Sequence, residues 1–224
     1  MDFTEKNIRA FVLNLIGGYE KTLTEATLEI FDMFSRKHHW DDDRSENVHY
    51  FNGWKTNDSF KVKEKVIIPL YARHSPAGPF VNDYSGKWEL QWGIEDTLRD
   101  IDTVMNYFDG MQDYYSIAKA LTDAFKNGQS RKIKSTYFTL TAYKKGTLHL
   151  VFNSKDILRR FNVVSCRGRE WLPQDYGTKA YDDMAPEEKN TVESFEGEQS
   201  YTKNLNVQLL GRLNVPMLTN LTEA

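Results

Sequence analysis

The chain has 224 residues, 40% of them hydrophobic and 27% charged, with a net charge of −3 and one cysteine, Cys166. These values are typical of a globular protein with one sizeable core, so we expect a single domain over residues 1–224. A lone cysteine excludes an internal disulfide and is typical of the cytoplasm. No apolar run reaches the roughly 20 residues that a membrane-spanning helix requires, and we expect no membrane contact.

The N-terminal part predicts a long helix. Apolar residues recur at helical spacing from Ile8 to Phe34, and Gly17-Gly18 interrupts the pattern. This predicts one kinked helix or two helices in succession. The His38-His39 pair and the acidic residues after it match no standard metal-ligand spacing, so we predict no metal site there.

A polar stretch rich in amides and aromatics follows, at residues 47–58. Aromatic rings stack on bases and amides recognise base edges, which suggests a binding loop for a base or sugar. The alternative is an ordinary turn-rich loop. The predicted substrate-binding residues of this stretch are Tyr50, Asn52, Trp54, Lys55 and Asn57, and the predicted catalytic carboxylate is Asp58.

The middle of the chain predicts a mixture of strands and helices. Residues 61–70 resemble a strand, and residues 94–108 and 113–125 have helical periodicity. A β-hairpin is expected over 136–143 and 147–152, followed by a helix capped by Asn153 or Ser154. The predicted fold class is therefore α+β: a long or kinked N-terminal helix, central helices, and an antiparallel sheet with the hairpin near 136–152.

His149 lies within this hairpin. If Lys145-Gly146 forms a two-residue turn, His149 opposes Ala142 and shares the apolar face of the hairpin with Phe138, Leu140 and Val151. A histidine on an apolar face is usually a satisfied core residue. The alternative is a catalytic acid or base, and we keep His149 as a catalytic candidate on that ground.

Positive charge is concentrated in residues 126–169. This segment holds eleven basic residues and one acid, Asp156, whereas the rest of the chain holds 18 basic and 31 acidic residues. Such a segregation is typical of a polyanion site, and a solvated basic surface is the alternative. Asp156 either complements a helix dipole or acts as a catalytic carboxylate. The predicted substrate-binding residues here are Arg159, Arg160, Asn162, Arg167 and Arg169.

Residues 174–203 are acidic, with eight carboxylates and three lysines, and show little periodicity. We expect a surface loop or arm there, which offers a surface for a protein partner. The apolar residues of 205–221 predict a strand or short helix that docks on the domain. The chain has no Walker loop, dinucleotide fingerprint or cysteine-based zinc motif, so we expect no cofactor and no metal.

Four motifs carry a family resemblance: Asn52-Gly-Trp-Lys-Thr-Asn57, Lys144-Lys-Gly-Thr-Leu-His-Leu-Val-Phe152, Arg160-Phe-Asn162 and Glu170-Trp-Leu-Pro173. With these motifs, the chain resembles the bacterial domain of unknown function 4942 over roughly residues 15–201. The resemblance implies a context of plasmids, prophages and other mobile elements, and assigns no activity.

Three functions remain open from the sequence. The first is a cofactor-free enzyme acting on DNA bases or nucleotides, such as a glycosylase-like hydrolase in phage defence, with DNA as partner. The second is a nucleic-acid-binding adaptor without catalysis. The third is an interaction or inhibitor module that uses the acidic segment 174–203.

Overall fold

The computed structural model describes residues 21–36, 47–72, 75–111 and 113–209. Within these residues the fold is a mixture of helices and two antiparallel sheets, which confirms the predicted α+β class. The helices are α1 (21–35), α2 (Glu95–Asp109), α3 (Ile117–Lys126), α4 (Lys155–Gly168), α5 (Pro186–Phe195) and α6 (Glu198–Lys203). The strands are β1 (Val48–Asn52), β2 (Asp58–Val62), β3 (Lys65–Pro69), β4 (Arg131–Lys134), β5 (Phe138–Ala142) and β6 (Thr147–Phe152).

The contacts divide the chain into two compact units. Of the described residues, unit 1 contains those up to Ile67 and those within Asn162–Leu205, and unit 2 contains those within Ile68–Phe161 and those from Asn206 to 209. The division falls within β3 and within α4, so both elements contribute residues to both units. A compact group of contacts is not by itself an independently folding domain, and the prediction of a single domain stays a prediction.

Unit 1 is built on the antiparallel pair β1–β2 and on aromatic packing. The Phe31 ring of α1 stacks on Phe60 of β2 at 5.7 Å between centroids, and Trp171 lies 4.7 Å from Phe60. The buried Asn47 side chain donates to the carbonyls of Phe34 and Ile67. Because buried amides are costly without partners, these bonds hold the strand start in one place.

Unit 2 contains β4, β5, β6 and the end of β3, and the four-stranded sheet has the order β3-β6-β5-β4. β5 and β6 alternate strictly, and one face is buried through Phe138, Leu140, Ala142, Leu148, Leu150 and Phe152. Period-two burial of this kind fixes the register of the pair, because a slip by one residue would expose the whole apolar set. The expected hairpin and the helix that follows it are confirmed. Ser154 accepts a hydrogen bond from the Ile157 amide at 3.3 Å, which makes it the cap of α4.

Helices α2 and α3 complete unit 2. α2 buries residues at helical spacing, among them Leu98, Ile101, Met105 and Phe108. α3 begins four residues later than the sequence pattern indicates, because Ser116 caps it by accepting from the Lys119 amide at 3.2 Å. The first amide of α3, at Ile117, donates to the carboxylate of the fully buried Asp102 of α2 at 2.7 Å.

The structure also differs from the sequence predictions at 61–70 and at 174–203. The predicted strand 61–70 is broken after Val62, and its halves belong to β2 and β3. The acidic segment 174–203, expected as a loop or arm, contains α5 and α6 and buries Tyr176, Phe195 and Tyr201. The reason is aromatic packing, since the Tyr176 ring contacts Phe195 at 5.5 Å and Tyr201 at 5.0 Å.

Other predictions lie outside the described residues. These are the helical pattern before residue 21 with Gly17-Gly18, the His38-His39 cluster, and most of the segment 205–221. In the described part of the chain, no helix has both the length and the apolar character needed to cross a bilayer.

Candidate functional site

The loop of the β1–β2 hairpin forms one wall of a cavity in unit 1 that is lined by polar residues and one glycine. Asn52 and Asp58 lie opposite each other as the last residue pair of the hairpin. Between them the chain forms a 3₁₀ turn, Trp54–Thr56, and the Gly53 amide donates to the Asn57 carbonyl at 2.8 Å. The two strand ends therefore place Asn52, Asn57 and Asp58 close together.

Gly53 is required by the tight closure of this loop. A Cβ at this position would overlap the Ser59 Oγ and the Asn57 carbonyl oxygen, although the backbone φ of Gly53, −83°, is open to any residue. The constraint is thus steric. Lys55 adopts a left-handed conformation at φ 56°, which turns the chain within the same loop.

Helix α5 forms the opposite wall. Its first turn starts with Pro186, which suits a helix start because the missing amide would have no helical partner. The Glu188 carboxylate accepts from the Ala185 amide at 2.7 Å and forms an ion pair with Lys179 at 2.7 Å. The hydrogen bond from Lys179 holds the pKa of Glu188 below its usual value.

Aromatic contacts hold α5 against the hairpin. The Phe195 ring lies 5.0 Å from Phe51 of β1, edge to face. The Lys61 ammonium lies 4.8 Å above the Phe195 ring and donates to the Phe195 carbonyl. Burial lowers the pKa of Lys61. These contacts fix the distance between the hairpin and the helix, and therefore the width of the cavity.

The cavity has a volume of about 250 Å³. Its lining consists of three amide side chains, two carboxylates, a hydroxyl and a glycine: Asn52, Asn57, Asn190, Asp58, Glu187, Thr191 and Gly53. None of these lining residues is basic or aromatic. Such a wall binds a neutral group with many donors and acceptors, such as a nucleobase or a sugar, better than it binds a phosphate. Among the described residues, no group of three His, Cys, Asp or Glu side chains is arranged to hold a metal ion.

The structure brings together three of the predicted site residues, Asn52, Asn57 and Asp58. Trp54 and Lys55 lie in the same loop without lining the cavity, and the Trp54 amide donates to the Trp171 carbonyl at 2.9 Å. Tyr50 is 64% exposed on β1.

Asn162 lies in unit 1 but is buried away from solvent. Its Oδ1 accepts from the Val62 amide at 2.7 Å and its Nδ2 donates to the Val62 carbonyl at 3.0 Å. Both polar groups of the amide therefore bond to the main chain of β2 at Val62, the residue that pairs with Val48 of β1. A substrate contact would require breaking this bridge.

His149 lies in unit 2, on the face of the sheet opposite the one expected. The assumed two-residue turn is wrong: Tyr143 and Thr147 are still paired by a bond of 3.0 Å, so the turn spans Lys144–Gly146. This longer turn shifts the register, and His149 pairs with Thr141 instead of Ala142. His149 is thus half-buried on the polar face, where its ring lies 4.6 Å from that of Tyr143.

Asp156 and Arg160 pair with each other in unit 2. The Asp156 carboxylate lies in the first turn of α4 and forms an ion pair with Arg160 at 2.6 Å, one helical turn later. Arg160 also donates to the Phe108 carbonyl. Arg159 directly precedes Arg160 on the same helix, and both side chains are half-buried. The Asp156 carboxylate therefore interacts favourably with the helix dipole and also neutralises the charge of a neighbouring guanidinium.

Arg167 and Arg169 lie in unit 1 at the end of α4. Burial lowers the pKa of Arg167, and the Asp175 carboxylate opposes this shift. Arg169 forms an ion pair with Asp32 of α1. Both arginines therefore have acidic neighbours from their own unit.

Sequence reasoning missed Glu187, Asn190 and Thr191, the contribution of α5 to the cavity. The buried positions of α5 are 188, 191, 192 and 195, which is helical spacing, but two of them are polar residues. The usable signal was Pro186 followed by two glutamates, which is typical of a helix start.

Comparison with known proteins places the chain in a family. The model of the family described as domain of unknown function (DUF4942) matches residues 1–171. The chain belongs to this DUF4942 family. The match includes the hairpin wall of the cavity and ends before α5, so it stops short of the expected limit near residue 201. Neither the curated proteins nor the solved structures contain a significant match.

Proposed function

We propose that the protein is a nucleic-acid-directed hydrolase that cleaves an N-glycosidic bond with the nucleoside held in the unit 1 cavity. The observation that carries this proposal is the cavity lining, in which Asp58 and Glu187 stand among three amide side chains. Two carboxylates flanked by hydrogen-bonding side chains suit the cleavage of a bond between a sugar and a base. DNA is the proposed substrate, and the proposed context is defence or conflict involving phages and mobile elements in the cytoplasm.

The proposed reaction needs no cofactor. The bond between C1′ and the base nitrogen breaks, and its electron pair leaves with the base. The oxygen of water then bonds to C1′, and the proton released by this water ends on the departing base. One carboxylate removes that proton, while the other stabilises the positive charge that develops on the sugar ring.

The amides supply recognition in this proposal. Asn52, Asn57 and Asn190 each offer a donor and an acceptor, which is the combination needed to read a base edge. The walls of the cavity carry no cation, so the phosphates of the substrate remain outside it. The basic side chains nearest to the lining residues along the chain are Lys189, next to Asn190 on α5, and Lys55, exposed in the hairpin loop.

The test is base release from defined oligonucleotides. Purified protein is incubated with single- and double-stranded DNA carrying unmodified or modified bases, and free bases and abasic sites are measured. Asp58→Asn and Glu187→Gln are each expected to lower the rate by about 10²–10⁴-fold, because each removes one carboxylate that assists the reaction.

Glu193→Gln is the matched control. Glu193 lies on α5 outside the cavity and accepts a hydrogen bond from the Tyr181 hydroxyl at 3.0 Å, which glutamine can also accept. This variant should retain the full rate, and all three variants should keep the unfolding temperature of the parent protein. If DNA of every modification state stays intact, or if Asp58→Asn and Glu187→Gln both retain full activity, the hydrolase proposal is overturned.

A second candidate function is a nucleic-acid-binding adaptor without catalysis. The observation that favours it is the row of exposed basic residues on β4, namely Arg131, Lys132 and Lys134. In that case the protein binds DNA in a salt-dependent manner and releases no base.

A further inference from the structure

One face of the unit 2 sheet, called the open face below, is only partly buried. The face opposite the buried one carries Thr139, Thr141, His149 and Val151, and all four are half-buried. β4 continues this face, since Arg131 pairs with Thr141 and Lys134 pairs with Thr139. The sheet therefore presents a polar surface that runs across three neighbouring strands.

A cation, a phenol and an imidazole lie in contact on this surface. The Tyr143 ring, just after β5, lies 4.6 Å from the His149 ring, with an angle of 46° between their planes. The Arg131 guanidinium lies 6.0 Å from the centroid of the Tyr143 ring. We call these three residues the Tyr143 cluster. Contacts with a cation and with a second ring restrict the orientation of the Tyr143 ring, and a fixed ring is what a stacking platform requires.

The strands β4, β5 and β6 and their turns carry charge of one sign. Residues 131–152, which form β4, β5, β6 and their turns, contain five basic residues and no Asp or Glu. Arg131, Lys132, Lys134 and Lys145 are exposed. Lys144 is used within the unit, since it donates to the Gly86 carbonyl at 3.0 Å and lies above the Trp88 ring.

Protection of a sheet edge accounts for part of this charge. β4 is the edge strand, and lysines on an edge strand discourage pairing with other molecules. This explanation does not extend to the aromatic pair, which lies on the face of the sheet and not along its edge. Rings on a sheet face beside exposed cations are the combination that binds unpaired bases and their phosphates.

We infer that this open face binds single-stranded nucleic acid, with bases stacked on the Tyr143 cluster and phosphates paired with Arg131 and Lys134. A duplex is excluded as the preferred ligand because its bases are already stacked and cannot cover the ring. This inference rests on the proposed function for its class of ligand, and on the unit 2 sheet for its site. It names the form of the nucleic acid, single-stranded, and the residues that bind it. Neither follows from the cavity alone.

The test is fluorescence anisotropy with a labelled oligothymidine strand and a mixed-sequence duplex of the same length. Tyr143→Ala should weaken binding of the single strand by at least about fivefold, because base stacking on an aromatic side chain is lost. Tyr143→Phe keeps the ring and should bind as tightly as the parent protein. Tyr84→Ala is the control, since Tyr84 is fully exposed and lies outside the sheet.

The contribution of charge is measured by the dependence of affinity on salt. Arg131→Ala and Lys134→Ala should each reduce the slope of log K against log salt concentration by about 0.7, the value for one phosphate contact of a single strand. Arg99→Ala removes the same charge from α2, where Arg99 pairs with Asp96, and should leave the slope unchanged.

The inference is overturned if Tyr143→Ala and Tyr143→Phe bind equally well, if the duplex binds more tightly than the single strand, or if the parent protein binds neither. Failure of the hydrolase proposal gives a different pattern. In that case Asp58→Asn retains strand binding, Tyr143→Ala still loses it, and no base is released by any variant.

Discussion

Asp102 links the stability of unit 2 to pH. Its carboxylate is fully buried on α2, where Oδ2 accepts from the Ile117 amide and Oδ1 has no hydrogen-bond partner among the described residues. Burial raises the pKa of Asp102 from 3.8 to about 7, and the bond from Ile117 offsets only part of this shift. The perturbation that isolates this group is Asp102→Asn.

The sign of the effect follows from proton binding. Between pH 4 and 7 the folded protein holds a proton on Asp102 that the unfolded chain releases, so stability falls as the pH rises and levels off above pH 7. With folded and unfolded pKa values of about 7 and 3.8, the group lowers the free energy of unfolding by about 2–3 kcal/mol between pH 5 and pH 8.

The assay is urea-induced unfolding at pH 5 and pH 8, followed by circular dichroism. Asparagine keeps an acceptor for the Ile117 amide and presents a hydrogen-bearing group, as the protonated acid does, but it does not titrate. The stability of Asp102→Asn relative to the parent protein should therefore rise by about 2–3 kcal/mol from pH 5 to pH 8. Asp100→Asn, an exposed position on the same helix, should show a difference that stays within about 0.5 kcal/mol. A difference for Asp102→Asn that is constant over this pH range would refute the reasoning.

Two further predictions concern the frame of the cavity. Asn162→Ala leaves the amide and carbonyl of Val62 without their buried partner. It should lower the free energy of unfolding, measured by urea-induced unfolding, by about 2–5 kcal/mol. The exposed Asn190→Ala should cost less than about 0.5 kcal/mol, and a loss as small for Asn162→Ala would contradict the role of the bridge. Gly53→Ala forces the new Cβ into Ser59, and should cost about 1–3 kcal/mol in thermal unfolding. An unchanged melting temperature would show that the loop relaxes freely.

The hairpin wall of the cavity was predictable because its residues are neighbours in sequence. Asn52, Asn57 and Asp58 lie within seven positions of one another, so any closed turn brings them together. The α5 wall was not predictable in this way. Its buried stripe includes Glu188 and Thr191, whose partners, Lys179 among them, are set by the tertiary fold and not by an apolar pattern.

His149 shows how a small local error changes a functional assignment. The alternating pattern of β5 and β6 correctly predicts two strands, because alternation is a property of each strand alone. Which residues face each other depends on the turn, and the Lys144–Gly146 loop moves His149 from the apolar face to the open one. There its ring lies 4.6 Å from that of Tyr143, on the face for which we propose binding of bases.

The basic segment 126–169 was evident as a charge count, yet its members have different partners. Arg160 pairs with Asp156 and Arg169 with Asp32, while Arg131 and Lys134 remain exposed on β4. The sequence by itself determined helices α1 to α4, the β5–β6 hairpin and the positions of the charges, because these depend on periodicity and composition. The tertiary structure decided which residues meet in the cavity and that Arg169 pairs with Asp32, because these contacts join segments more than 100 residues apart. The bond between Val62 and Asn162 spans 100 residues in the same way.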